Sequence, residues 1–397
     1  MFLKKCIFNS NKINMKKLVL LLLVLLPAFS FCQRLDTLSL VSKEYNQPRK
    51  LLIYLPEEYQ YQPQRKFEVA YVFDSQARQY FDCVHSTLAF LHHGMCPMIV
   101  IGIISENRNK DLLPGNYYEQ TFNNYGGNLG EADKLISFIS NDLVAYINKN
   151  YRTLPTKIAI GHSNGGTFIS YCLLKKPELF NAYIAVSPNY AYDKEQLVTR
   201  FSTFDPEHLP DKKFYYQCNS NEDSSWVAAR NKMISIFNTD KFKTKIHFQN
   251  QNFAETESHG TIFPVGLFNG IKDYINYQFF NPENLIAYYS KLQKDSSITL
   301  TANFINEAAY NYYYNGYKKE DAIKILLWGN RLFPENLNLY DSLGEMYQNN
   351  NQKDEAMKYY KLFQSVMEER KDKLSPEDYQ KLKLGIEDRI SYLKGHM

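Results

Sequence analysis

Lys157-Ile158-Ala159-Ile160-Gly161-His162-Ser163-Asn164-Gly165-Gly166-Thr167 is the stretch on which the reading of this chain turns. A short apolar run ends in a G-x-S-x-G sequence, and Thr167 to Leu174 then continues at helical spacing. A serine set on so sharp a strand-to-helix turn needs glycine two positions before and two after it, because a Cβ at either place would collide with the neighbouring strand or helix. The helix N-terminus behind Ser163 favours negative charge. The segment therefore reads as the seat of a nucleophilic serine.

Outward from this turn, strand-like runs alternate with amphipathic segments from Arg34 to about Phe280, the pattern of an α/β protein with a mostly parallel sheet. The expected strands are Lys50–Leu55, Glu68–Phe73, Met98–Ile103, Lys157–Ile160, Ala182–Val186, Lys213–Cys218 and Lys245–Phe248. Between them, Leu135, Phe138, Ile139, Leu143 and Ile147 place one apolar face on a helix over Glu131–Asn148.

Beyond Pro282 the strand pattern stops and the chain reads as helical. Lys319-Glu320-Asp321-Ala322 is echoed 34 positions later by Lys353-Asp354-Glu355-Ala356, Tyr313 matches Tyr347, and Leu326 matches Tyr360. Leu343-Gly344 sits where two helices approach closely, and Pro334 ends the first unit. This region resembles the tetratricopeptide repeat, whose helix hairpins stack. Stable stacks need about three units, so Thr301–Asn315 and Pro376–Leu393 are expected to cap the array or to dock on the preceding domain. The resulting division is 1–32 leader, 33–280 catalytic-type domain and 281–397 helical module, the last offering a surface for a protein partner.

The chain has 397 residues, 44% hydrophobic and 22% charged, and a formal net charge of +4. Lys4, Lys5, Lys12, Lys16 and Lys17 all precede Gln33 and no acid does, so the remainder carries 41 basic against 42 acidic residues. A nearly neutral body lacks the electrostatic footprint of a nucleic-acid or anionic-membrane binder. Lysines followed by the apolar run Leu18–Phe31, broken by Pro27, read as a signal peptide with translation starting at Met1 or Met15 and cleavage near Cys32. Export to the periplasm or beyond follows, with no membrane span after cleavage; a lipid anchor on Cys32 is the alternative, disfavoured by the bulk of Phe31. Cys83, Cys96, Cys172 and Cys218 then sit where disulfides are allowed but not needed at this size. No C-x-x-C is present, so a structural zinc site is not expected.

At the turn and around it the chain resembles the esterase branch of the α/β-hydrolase fold that includes enterochelin-esterase-like and S-formylglutathione-hydrolase-like enzymes and mycolyltransferases. The resemblance runs from Thr37 to Asn276. It rests on Ile53-Tyr54-Leu55-Pro56 with Tyr59, Tyr71-Val72-Phe73-Asp74, Val100-Ile101-Gly102-Ile103 with Arg108 and Asp111, the stretch Gly127–Tyr151, the serine turn, Lys176-Pro177-Glu178-Leu179-Phe180 and Ser187-Pro188. It implies ester hydrolysis by a Ser-acid-His triad without a metal or organic cofactor.

His259, in Glu257-Ser258-His259-Gly260, follows the last expected strand and gives the chain order Ser, acid, His that this fold uses. His162 should point away from Ser163, His247 falls inside a strand, and His85, His92 and His93 precede the nucleophile. His208 and His396 lack a strand-end context. The acid is expected after the strand Lys213–Cys218, where Glu222 fits the family spacing and Asp223 is the alternative. The oxyanion would be met by the backbone N–H of Asn164 and one from Asp74-Ser75. The family usually has glycine at the positions of Ser75 and Asn219 and leucine at that of Asn164. Tyr117, Tyr118, Phe122, Tyr125, Tyr190, Tyr192 and Trp226 lie in loops above the strand ends and would line a mouth for a small-molecule or carbohydrate-linked ester. The same triad would serve acyl transfer were water excluded, and a catalytically idle scaffold that binds partners through the repeats is the reading from another class.

Overall fold

The computed structural model describes residues 34–91, 96–279, 281–314 and 319–396. The leader with Cys32 and the residues His92 and His93 lie outside the described residues. Eight strands, β1 (Arg34–Ser42), β2 (Gln47–Leu55), β3 (Phe67–Val72), β4 (Met98–Ile103), β5 (Thr153–His162), β6 (Ala182–Val186), β7 (Lys213–Asn219) and β8 (Ile246–Asn252), form one sheet in the order β1-β2-β4-β3-β5-β6-β7-β8. The pairs β1/β2 and β2/β4 are antiparallel and all others parallel. This is the α/β-hydrolase fold, with a mostly parallel sheet followed by an all-helical region.

Period-two alternation splits each central strand between two cores. In β2, Leu51, Ile53 and Leu55 join one core while Leu52 and Tyr54 join the other. Helices α1 (Arg78–Leu91) and, near the end of the sheet domain, Ile262–Phe279 cover the Leu52 face. The opposite face is covered by a helical run over 132–150, by α2 (Asn164–Lys175), α3 (Tyr192–Thr203) and α4 (Ser224–Phe237). The helix over Ile262–Phe279 is accordingly α5. The run over 132–150 is not one regular helix, since Phe138–Leu143 is wound as a π-helix between two α-helical pieces.

Six helices follow: α6 (Pro282–Lys294), α7 (Ala302–Tyr314), α8 (Lys319–Leu332), α9 (Leu337–Asn349), α10 (Lys353–Glu369) and α11 (Pro376–His396). Helices α8 and α10 begin at positions 34 apart, and the repeat positions Ala322, Ala356, Leu326 and Tyr360 are all fully buried. A Cβ on Gly344 would lie 2.1 Å from the Tyr360 ring, so α9 and α10 approach as closely as only glycine permits.

These helices and the sheet share a single core that runs from Leu52 and Val72 through Tyr274, Tyr289 and Ile305 to Leu393. At the seam, Lys66 N–H donates to Ser297 O at 3.1 Å, and the Phe279 ring packs edge-on against Tyr288, with centroids 5.2 Å apart. The buried carboxyl of Glu68 accepts from Tyr274 Oη at 2.9 Å and from Tyr288 Oη at 2.8 Å, tying β3 to α5 and α6.

Burial raises the Glu68 pKa, against the opposing pull of the hydrogen bonds from Tyr288 and Tyr274. The folded state therefore holds this proton more tightly than the unfolded chain does. The associated stability is complete below the ordinary glutamate value of about 4.3 and is lost as pH rises through the folded value. Glu68→Gln should consequently unfold at higher denaturant than the parent at pH 8, with the gap closing toward pH 4. Parallel denaturant titrations at the two pH values check this, and a gap that is unchanged or reversed refutes it.

Candidate functional site

Ser163 leaves β5 with φ 56 and ψ −120 and is the residue immediately before α2. The glycines around it are a geometric requirement: a Cβ on Gly161 would sit 2.4 Å from the carbonyl of Gly165, and one on Gly166 would sit 3.0 Å from Pro188. The Thr167 N–H closes the first helical turn on Ser163 O at 3.0 Å, leaving the N–H of Asn164 directed away from the helix interior.

The loop after β7 carries the two acids in different roles. Asp223 caps α4, its Oδ1 accepting the N–H groups of Ser225 at 2.9 Å and Trp226 at 3.2 Å. Glu222 turns inward, its side chain only 4% exposed, and its Oε1 lies 3.1 Å from His259 Nδ1. The same Oε1 accepts from Ser220 Oγ at 3.1 Å and, in a very short contact, from Ser187 Oγ. Its Oε2 is held by Arg230 Nη1 at 2.5 Å. Burial alone would raise the Glu222 pKa, but the hydrogen bonds from His259 and Ser187 and the Arg230 charge outweigh it and hold the carboxyl below its ordinary value.

His259 stands in the loop between β8 and α5, tethered where the Asn221 N–H donates to Glu257 O at 2.8 Å. Trp226 meets its ring edge-on with centroids 5.0 Å apart, and the His162 ring lies against it at 4.7 Å. His162 points away from the cavity: its Nδ1 pairs with Tyr80 Oη at 3.0 Å and its Nε2 with His259 O at 3.1 Å. Burial, together with the neighbouring His259 and Arg108, pushes the His162 pKa down to about 3, so this ring is neutral and donates from Nε2 to the His259 carbonyl.

Ser163, Asn164, Glu222 and His259 line one open cavity of about 410 Å³ with Tyr125, Asn189, Asn221, Asp223 and Trp226. Among the described residues Ser163 Oγ and the His259 imidazole share no hydrogen bond; sites without substrate commonly leave this contact long. Ser163, Glu222 and His259, expected together from the sequence, are thus gathered at one cavity, whereas Asp223 is at its rim as a helix cap.

Asp74 and Ser75, the two candidates for the second oxyanion donor, differ in how their N–H groups are engaged. Ser75 N–H donates to Ile103 O at 3.0 Å and Ser75 Oγ to Val72 O at 3.0 Å, so Ser75 is committed to the sheet. Asp74, at φ 64, makes no backbone hydrogen bond through its N–H among the described residues. Its carboxylate accepts from Arg108 Nε at 2.8 Å while Arg108 Nη2 donates to His162 O at 3.3 Å, which braces the Asp74 turn against the serine turn. Burial nevertheless pushes the Asp74 pKa up.

Of the seven loop aromatics expected at the mouth, only Tyr125 and Trp226 line the cavity. Tyr190 and Tyr192 are buried in packing, and Tyr117, Tyr118 and Phe122 are exposed elsewhere on the surface. The cavity wall is instead rich in amides: Asn189 Nδ2 donates to Asn164 Oδ1 at 3.3 Å, and Asn164 Nδ2 to Asn109 Oδ1 at 2.9 Å. Ser187 and Arg230 were not singled out by the sequence. Ser187 lay within a matched segment, but nothing local marks its φ of 48 or its reach to Glu222. The run Asp223-Ser224-Ser225-Trp226 does carry a helix N-cap signal that separates the two acids. Among the described residues no group of three His, Cys, Asp or Glu side chains could hold a metal ion, and Cys83, Cys96, Cys172 and Cys218 are unpaired.

A hydrolase sheet whose serine turn, acid and histidine meet at one cavity defines an esterase-type α/β-hydrolase. The chain belongs to the Esterase family, whose model, described as "Putative esterase", matches residues 42–266, more than half of the chain. It is similar to the ferri-bacillibactin esterase BesA of Bacillus subtilis (strain 168), 29% identical over 127 residues that make up 28% of this chain and 43% of that protein. The chain thus spans less than half the length of this curated relative. Among solved structures, an IroE-like serine hydrolase from Shewanella oneidensis is matched over 75% of this chain and 100% of its own, with a TM-score of 0.58 and 21% identity. An uncharacterised protein from Capnocytophaga ochracea DSM 7271 is matched over 91% of this chain and 100% of its own, with a TM-score of 0.55 and 16% identity. That coverage extends the likeness of fold into the helical region.

Two substitutions separate the acids. Glu222→Gln should lower kcat on the order of 10³- to 10⁴-fold, as expected when a triad histidine loses its orienting carboxylate. Asp223→Ala should leave kcat within a few-fold and cost about 1 kcal/mol of stability through the lost cap. Steady-state kinetics with denaturant melts on both variants decides, and the opposite ranking would transfer the role to Asp223.

Proposed function

We propose that this protein is an exported serine hydrolase that cleaves carboxylic esters through Ser163, His259 and Glu222. The observation that carries the reading is a buried, ionised Glu222 fixed on His259 Nδ1 at the cavity where Ser163 is presented on a strained turn. His259 takes the proton of Ser163 Oγ as that oxygen attacks the acyl carbon, and Glu222 keeps the imidazole in the tautomer that leaves Nε2 free to accept it. The negative charge on the tetrahedral oxygen is met by the N–H of Asn164 and that of Asp74, reinforced by the N-terminus of α2. The imidazolium then protonates the departing alkoxide. Water, activated by the same histidine, resolves the acyl-enzyme. Export rests on the basic, acid-free leader read in residues 1–32.

A siderophore ester is the more specific reading of the substrate, favoured by the activity in the name of the Bacillus subtilis relative. The amide-lined wall with few aromatics favours a polar, hydrogen-bonding ester over one held by ring stacking.

The parent should label with a fluorophosphonate probe and Ser163→Ala should not, read by gel fluorescence and intact mass. Failure of the folded parent to label, where a control serine hydrolase does, supports the idle-scaffold reading instead.

A further inference from the structure

We propose that Arg230 is a positioning residue of the reaction, setting both the charge state of Glu222 and the oxygen it offers to His259; this rests on the esterase reading above. Arg230 lies in α4, eight residues beyond Glu222, and both side chains are only 4% exposed. A guanidinium buried this fully without function would be a costly choice, because desolvating two ions commonly offsets their attraction. Here the pair has a geometric product. The carboxylate has two chemically equivalent oxygens, and the Arg230 Nη1 contact at 2.5 Å occupies Oε2, leaving Oε1 for His259 Nδ1 at 3.1 Å. The hydroxyls of Ser187 and Ser220 also donate to Oε1 and complete its shell. The carboxylate can therefore neither rotate away from the imidazole nor take a proton without losing these donors.

The charged and titratable groups facing this pair are few. Arg230 approaches from α4, His259 from the loop before α5, His162 from the serine turn, the buried Tyr190 phenol from the segment before α3, and the Cys218 thiol lies buried beneath on β7. His162 is neutral, so Arg230 is the fixed positive charge of the cluster. Its removal increases the affinity of Glu222 for a proton, since a nearby cation disfavours the neutral, protonated carboxyl. A protonated Glu222 no longer orients the imidazole, so the acid limb of the pH–rate profile moves upward.

The test is kcat/KM for a short aryl ester from pH 5 to pH 9 in the parent, Arg230→Met and Arg230→Lys. For Arg230→Met the acid limb should move up by about one pH unit, a loss of about tenfold at low pH that recovers to within a few-fold at pH 9. Arg230→Lys, which restores the charge without the planar fork, should bring the limb back toward the parent. A uniform loss at every pH, or no change, overturns the proposal. Should Arg230→Met not fold, the double variant Glu222→Gln/Arg230→Met removes both buried charges and should fold. Its kcat/KM should equal that of Glu222→Gln alone, and a further drop of tenfold or more would mean that Arg230 acts by another route. Proton NMR titration of the His259 ring in the parent and Arg230→Met, with Arg230→Lys as the charge-retaining control, needs no turnover. A failed esterase reading would show as absent Ser163-dependent turnover with the ring pKa still responding to position 230, whereas a failed role for Arg230 would leave turnover present and the ring pKa unmoved.

Discussion

The conformation of Ser163 is the constraint on which the site depends. With φ at 56 it occupies a region that non-glycine residues enter at a cost of about 1–3 kcal/mol. That cost is met by what surrounds it: β5 sits between β3 and β6 in the middle of the sheet, α2 packs against the sheet, and Gly161 lets the strand and the helix meet where a Cβ would lie 2.4 Å from the Gly165 carbonyl. The same bend aims the first N–H groups of α2 and the serine hydroxyl into one cavity. Without the bend, the serine hydroxyl and the Asn164 N–H would no longer face the same cavity.

The parts of the fold that were legible in the sequence are those whose signal is local. Central strands are buried on both faces and read as apolar runs, so β3, β4, β6 and β7 fall close to their expected bounds. The edges are another matter. β1 alternates polar and apolar residues such as Thr37, Leu38, Ser39 and Leu40 with only half of them shielded, and it pairs antiparallel with β2 across a short turn. β8 continues past Phe248 through Gln249-Asn250-Gln251-Asn252, a polar stretch that pairs with β7 because it is an edge with little to bury. Neither presents an apolar run, and hydrophobicity is what a strand expectation rests on.

The site divides along the same line. Ser163 and His259 could be read from turn chemistry and chain order, because each sits at a strand end that the local pattern marks. Arg230 could not, for its function is defined by a partner across a helical turn and a loop. Ser75 misled because its position after β3 suited a donor, while its N–H had already been claimed by Ile103 across the sheet. Glu222 and Asp223 are adjacent in sequence, yet one ends inside the protein and the other caps a helix, a separation decided by the direction in which α4 sets off.

The core shared by the sheet and the terminal helices bears on the order in which the chain can be made. Tyr289 and Phe304 reach the sheet domain from residues synthesised after β8, and their rings pack on each other at 4.8 Å beside Arg65, the residue two before β3. A ribosome that has delivered every strand has therefore not yet delivered α5, one of the two helices over the Leu52 face, nor the aromatic rings that pack on it and beside Arg65. Until α6 and α7 emerge, the Phe279 ring and the Arg65 end of β3 lack the rings of Tyr288, Tyr289 and Phe304 that shield them, so the interval between the end of β8 and the arrival of α7 is the window in which a holding chaperone has most to protect.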